Sequence, residues 1–233
     1  GLNNNTILSI FLDYESNLWL GLDNGIDLVS VYSPLTNLNT GGDIGSGYAV
    51  AHFQNRIYLA TNQGLYWIHD FREDHSSEEI NRVHAIPELA GQVWSLHVSG
   101  EYLLVGHNRG TFALKGDLVE QIGDSPGGWN FTPIPNHPGL ILQGTYNGLQ
   151  VLQLLPEGPR LLHALKGFNE SGKMLFFEDE QTLWIGHGYK GIFRLKLNSQ
   201  YNEVDEVKLF ADSSALGSKN FNELLAVEPQ VLV

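Results

Sequence analysis

The chain has 233 residues, 42% of them hydrophobic and 11% aromatic, which allows a sizeable folded core and argues against disorder. Its formal net charge of −13 repels phosphate backbones and anionic membrane surfaces, so we expect no nucleic-acid partner. It has no run near 18 apolar residues, so we expect no direct membrane insertion. It contains no cysteine, which excludes disulfides and thiolate metal sites. It has neither an initiator Met nor a leader, so we expect it to be part of a longer protein.

The first element along the chain is a β-hairpin. Apolar residues 18–22 and 26–29 flank the turn Asp23-Asn24-Gly25, and Asn-Gly favours the positive φ angles of a tight hairpin loop. A strand at 6–13, rich in β-branched and aromatic residues, precedes it across a short polar segment. The order predicts an antiparallel meander.

The same hairpin pattern returns four more times. The turn glycines lie at positions 25, 64, 110, 148 and 191, at intervals of 39, 46, 38 and 43 residues. A period of about 40 to 45 residues built from short strands is typical of propeller blades, each of which needs neighbours to bury its faces. We therefore predict an all-β fold, a β-propeller of four-stranded antiparallel blades.

The other strands of each repeat follow from the hairpins. Outer fourth strands are predicted at 82–86, 161–165 and 204–210, and the charged tract 71–79 is predicted to be a solvated loop. Pro133 and Pro135 weaken the first strand of the fourth repeat. The expected domain is a single propeller or propeller fragment, with blades at 1–44, 45–88, 89–124, 125–166 and 167–215, and with 216–233 opening another blade.

The first repeat carries a family resemblance. Residues 2–13 followed by Leu18-Trp19-Leu20-Gly21-Leu22-Asp23-Asn24-Gly25-Ile26 resemble the two-component regulator propeller repeat, whose hairpin reads L-W-I-G-T-x-x-G-L. The chain departs from that pattern at Asn17, where glycine is usual, and at Leu22, where threonine is usual. Repeats two and five match mainly in their hairpins, and repeats three and four match loosely.

This resemblance implies the periplasmic sensor region of a hybrid two-component histidine kinase or of a one-component regulator from Bacteroidetes. In that family, paired seven-bladed propellers and a downstream β-sandwich respond to glycan fragments. The implied partners are an oligosaccharide, a neighbouring propeller or β-sandwich domain of the parent chain, and a second copy in a homodimer. No kinase, receiver or helix-turn-helix segment lies within these residues, so any signalling chemistry would belong elsewhere in the parent chain.

Candidate ligand-binding residues lie in the turns after the second strands and in the linkers between blades, which share one rim in propellers. Sugars bind by stacking on aromatic faces while amide and charged groups hydrogen-bond their hydroxyls. Trp129, beside Gly-Gly and two prolines, is the best aromatic candidate, whereas Trp19 and Trp184 share a strand position and are predicted to be core. The candidates are His107, Arg109, Trp129, Tyr146, Asn147, His187, Tyr189 and Lys190. The alternative interpretation is that these turns are polar only because turns require polar residues.

Two other functions stay open, a propeller-fold hydrolase or lyase and a purely structural or protein-interaction propeller. A glycosidase needs two carboxylates that converge on one opening, and the rim offers Glu170 and Asp124 without a supporting motif. The nine histidines have no metal-ligand spacing, and no acidic Ca²⁺ loop is present. We therefore predict a non-catalytic module with no metal and no cofactor.

Overall fold

A computed structural model of the chain describes residues 2–30, 44–70, 83–211, 220, 224–227 and 230–232. Every regular element in these ranges is a β-strand. The chain divides into two compact units, residues 1–43 and 44–233. Within the described ranges, no helix is long and apolar enough to cross a bilayer.

Unit 1 contains one antiparallel sheet, blade 1, in the order β1-β2-β3. Its strands are β1 (Ile7–Leu12), β2 (Asn17–Leu22) and β3 (Ile26–Ser30). The turn between β2 and β3 holds Gly25 at a φ of +103°, as the Asn-Gly pair predicts. The predicted hairpin is therefore confirmed. The remainder of this repeat, residues 31–43, lies outside the described residues.

Unit 2 contains four antiparallel sheets of four strands each, blades 2 to 5. In every sheet the strands follow one another in chain order, as a meander requires. Blade 2 consists of β4 (Gly47–Phe53), β5 (Arg56–Thr61), β6 (Gly64–His69) and β7 (His84–Ala90), and blade 3 of β8 (Val93–Ser99), β9 (Tyr102–His107), β10 (Gly110–Lys115) and β11 (Leu118–Gly123). Blade 4 consists of β12 (Asn130–Pro133), β13 (Leu140–Thr145), β14 (Gly148–Leu155) and β15 (Gly158–Ala164), and blade 5 of β16 (Met174–Phe177), β17 (Thr182–His187), β18 (Gly191–Leu197) and β19 (Val204–Phe210).

The four blades of unit 2 are arranged like consecutive blades of a propeller. Their first strands are neighbours in the order β4, β8, β12 and β16. The predicted all-β propeller fold is thus confirmed. The outer strands predicted at 161–165 and 204–210 correspond to β15 and β19, and the one predicted at 82–86 is β7. Pro133 is tolerated because β12 pairs with β13 alone and is therefore an edge strand, where a residue without a backbone N–H can be accommodated.

The last described strands form a short antiparallel hairpin of β20 (Leu225–Val227) and β21 (Gln230–Leu232). A first strand, a turn and the start of a second strand were predicted in this stretch. The charged tract 71–79 lies outside the described residues.

The core of unit 2 consists of apolar layers between successive blades. Adjacent residues of one strand point to opposite faces, so Leu103 packs towards blade 2 and Leu104 towards blade 4, and both are fully buried. Leu142 of blade 4 packs in the same way against Leu183 of blade 5. Each middle blade therefore buries both of its faces, which explains why its central strands are apolar almost throughout.

The tryptophans of the second strands depart from this pattern. Trp19 is 41% exposed, so its predicted core role is wrong, and Trp184 is half-buried. Both indoles instead donate to a carboxylate six residues earlier, Trp19 to Asp13 at 2.9 Å and Trp184 to Glu178 at 2.8 Å. The repeat thus uses its tryptophan to tie the second strand to the turn before it.

Glycines on the second strands let the next blade approach closely. A Cβ on Gly106 would lie 2.0 Å from the carbonyl oxygen of Gly128, and one on Gly144 would lie 1.8 Å from that of Gly172. Both separations are impossible for a real side chain. These two contacts hold in place the linker residues that come directly before Trp129 and Lys173.

Candidate functional site

A repeated position at the start of the first strands places aromatic side chains together. In blade 3 the strand pairing shifts between Val93 and Ser95, which leaves Trp94 in a β-bulge. Tyr48 occupies the same bulge in blade 2, and Trp129 directly precedes β12 in blade 4. Because a bulge redirects its extra side chain, these residues can be aimed away from the regular inter-blade layers.

The aromatic site consists of Tyr48, Trp94, Trp129 and Lys173, which line a cavity of about 480 Å³, and of Tyr146, which packs against Trp129 and does not line the cavity. Successive ring centroids are 4.8 Å apart from Tyr48 to Trp94, 4.6 Å from Trp94 to Trp129 and 5.2 Å from Trp129 to Tyr146. The Lys173 ammonium lies 5.8 Å from the Trp129 ring centroid. Four blades therefore contribute to one site.

Two contacts hold Tyr146 in place. The indole N–H of Trp94 donates to its hydroxyl at 2.9 Å. Gly127, at a φ of +79°, lies against the ring so closely that a Cβ there would be 2.0 Å from Tyr146 Cδ1. Burial raises the pKa of Tyr146, so its hydroxyl stays protonated at neutral pH. The ring is thus a fixed, uncharged neighbour of Trp94 and Trp129.

The turns after the second strands share a side-chain cap. Thr61 and Thr145 accept a backbone N–H of their turn through Oγ1. His107 has this role in blade 3, where Nδ1 accepts from Arg109 N at 3.0 Å and Nε2 contacts the carbonyl oxygen of Ala90 at 3.2 Å. Its side chain is fully buried, which lowers its pKa. Since both ring nitrogens already have partners, we leave His107 out of the proposed site.

His187 caps the turn of blade 5 in the same way. Its Nδ1 accepts from Tyr189 N at 3.1 Å and from Lys190 N at 3.2 Å, and burial is the main cause of its lowered pKa. Lys190 Nζ contacts the two oxygens of Glu170 at 2.8 and 2.7 Å. Tyr189 is 65% exposed. These residues form a second group of candidates, distinct from the aromatic site.

The remaining candidates lie in the turns of blades 3 and 4. Arg109 donates to the backbone carbonyl of Glu88 at 2.6 Å and so ties its turn to blade 2. Asn147 is exposed. Of the two carboxylates considered for catalysis, Glu170 is held by Lys190, and Asp124 is exposed. Of the eight predicted site residues, Trp129 lines the cavity, Tyr146 packs against Trp129, and the other six do not line the cavity.

Sequence analysis missed Tyr48, Trp94 and Lys173. Each directly precedes the residue that pairs with the small residue near the end of the second strand, Ala60, Gly106 or Gly186. An alignment anchored on those small residues could have found them. The separation between the two positions is 12 residues in blades 2 and 3, 13 in blade 5, and 15 from Trp129 to Gly144 in blade 4, so one fixed spacing does not align all four blades.

By sequence, no protein-family model and no curated protein matches the chain. By structure, it is similar to the extracellular domain of BT4673 from B. thetaiotaomicron, described as a one-component system, with a TM-score of 0.58 and 18% identity over 98% of this chain and 34% of that one. The extracellular domain of BT3049 from the same organism, described as a hybrid two-component system, aligns with a TM-score of 0.51 and 17% identity over 98% of this chain and 32% of that one.

The chain therefore spans about a third of the length of each of these proteins. At such identities the likeness establishes the fold, and the fold agrees with the one that the repeat pattern implied. The chain is built from β-propeller blades and shares its fold with the extracellular domains of two B. thetaiotaomicron signalling proteins.

Proposed function

We propose that the chain is a non-catalytic, extracytoplasmic ligand-sensing propeller of a two-component-type signalling protein, and that its ligand is a glycan fragment. The observation that carries this proposal is the aromatic site, where rings from three successive blades border one cavity. The extracellular location and the signalling role are drawn from the two similar B. thetaiotaomicron domains.

The chemistry of the aromatic site suits a sugar. Trp94 and Trp129 are both half-buried, so part of each indole remains available for contact with a ligand. The apolar C–H face of a pyranose stacks on such rings, while neighbouring polar groups bind its hydroxyls. A volume of about 480 Å³ is within the usual range for small-molecule pockets.

The location of the aromatic site suggests how binding could become a signal. Residues of blades 2, 3, 4 and 5 line it, so a ligand that contacts all of them stabilises one arrangement of these blades. A ligand shifts such an equilibrium only by its difference in affinity for the two arrangements. We assign the signalling output to other domains of the parent protein.

The proposal is tested by calorimetry with oligosaccharides chosen from an array. We expect saturable binding that Trp129→Ala weakens at least tenfold, or about 1.4 kcal/mol, because the substitution removes the central ring. Trp67→Ala is the matched control, since Trp67 stacks on His84 in blade 2 and does not line the cavity. Equal affinities of the two variants would refute the aromatic site as the ligand site.

A second measurement addresses catalysis. The protein is incubated with every oligosaccharide that binds, and new reducing ends are counted over time. We expect none. Steady product formation would show that the chain is a carbohydrate-active enzyme, and the non-catalytic part of the proposal would then be wrong.

A further inference from the structure

The polar side chains of the aromatic site offer hydrogen-bond donors. The indole N–H of Trp129 is buried and has no acceptor among the described residues. The amide oxygen of Asn130 accepts from Phe131 N at 2.8 Å, so the amide nitrogen remains for a ligand. Asn130 lines the cavity, so a ligand that supplies an acceptor can pair with this amide.

Lys173 adds a positive charge to these donors. Its side chain is exposed, and no carboxylate of the described residues lies within ion-pair distance of its ammonium group. Five other described cations do have carboxylate partners, namely Arg56, Lys115, Lys190, Arg194 and Lys196. None of the nine residues that line the cavity is acidic, although the chain as a whole carries a net charge of −13.

We infer that the ligand of the aromatic site is an acidic sugar, whose carboxylate or sulfate group is bound by Lys173 next to the Trp129 ring. This inference rests on the proposed function and narrows its ligand class. An anionic group supplies oxygen acceptors for the Lys173 ammonium and the Asn130 amide, and its hydrogen bonds to an ammonium are stronger than those of a neutral hydroxyl. Carboxylate and sulfate share this chemistry, so the experiment has one arm for each.

The test uses an array of matched oligosaccharide pairs. One arm contains galacturonic acid oligomers with free or methyl-esterified carboxyl groups, and the other contains galactose oligomers with or without sulfate esters. We expect the charged member of at least one pair to bind tenfold more tightly or better, and its affinity to fall as salt is added. Equal binding of charged and uncharged members would overturn the inference while the proposed function stands. Binding of no member in either arm would also overturn the inference, and the proposed function falls with it only if no oligosaccharide of the wider array binds.

A variant then assigns the preference to Lys173. In Lys173→Met, which keeps the length of the side chain, we expect the charged and uncharged members to bind equally and the salt dependence to disappear. Lys166→Met is the matched control, because Lys166 is also exposed but lies outside the cavity lining, and it should keep the full preference. Retention of the preference in Lys173→Met would refute the inference.

Discussion

The close approach of Gly144 to Gly172 predicts a large effect from one methyl group. In Gly144→Ala the new Cβ would begin 1.8 Å from the Gly172 carbonyl oxygen, and the separation must grow to at least 3.0 Å. The atoms that the new Cβ would meet are all backbone atoms of Gly172, so no flexible side chain can move aside. Overpacking of a tight contact costs about 3 kcal/mol at the upper end of its usual range, while Gly→Ala gains about 0.5–1 kcal/mol from a less flexible unfolded chain. We expect a net loss of about 2 kcal/mol.

Urea unfolding followed by tryptophan fluorescence measures this loss. With a slope of about 2 kcal/mol per M, the midpoint should fall by about 1 M. Gly188→Ala is the matched control, because nothing lies within 4 Å of its added Cβ and its φ is not left-handed, so its stability should stay within about 0.5 kcal/mol. If the two variants unfolded at the same urea concentration, the argument that glycine is required where blades approach would be refuted.

Two further predictions concern buried polar groups. Burial lowers the pKa of His107 below its ordinary value of 6.5, so the unfolded chain gains the proton first and stability falls as pH drops below 6.5, by at most about 1.4 kcal/mol per pH unit. His107→Thr keeps an oxygen that can cap the turn, so its melting temperature should depend less on pH between about pH 7.5 and 5.5. An unchanged dependence of the melting temperature on pH would contradict this. Gln150 Nε2 donates to buried Thr111 and Gln143, so Gln150→Ala should cost about 1–3 kcal/mol, and an unchanged melting temperature would disprove that role.

The sequence predicted the blades because their signals are local. Runs of apolar residues on both sides of a glycine turn define each hairpin without reference to distant residues, and the hairpins were found where expected. Four of the five turn glycines take a left-handed φ, whereas Gly64 does not. At that turn the Oγ1 of Thr61 accepts the backbone N–H of both Gln63 and Gly64.

The ligand-binding candidates were predicted less well because turn residues have two uses. His107 and His187 stand where blades 2 and 4 have Thr61 and Thr145, and all four accept backbone N–H groups of their turns. A polar residue at that position is therefore explained by the backbone N–H that it accepts, whether or not it also contacts a ligand. Sequence alone does not separate such a cap from a residue that contacts a ligand.

The geometry of the repeat explains how one fold can carry a specific site. Close contact at Gly106 and Gly144 fixes the path of the linker to the next blade, so the residue just before each first strand is held by backbone atoms. Its side chain takes no part in that contact and is free to vary. Blade 4 places Trp129 there, and blade 5 places Lys173. Substitutions at the glycines should therefore lower stability and binding together, whereas substitutions at Trp129 and Lys173 should change the ligand and leave the blades intact.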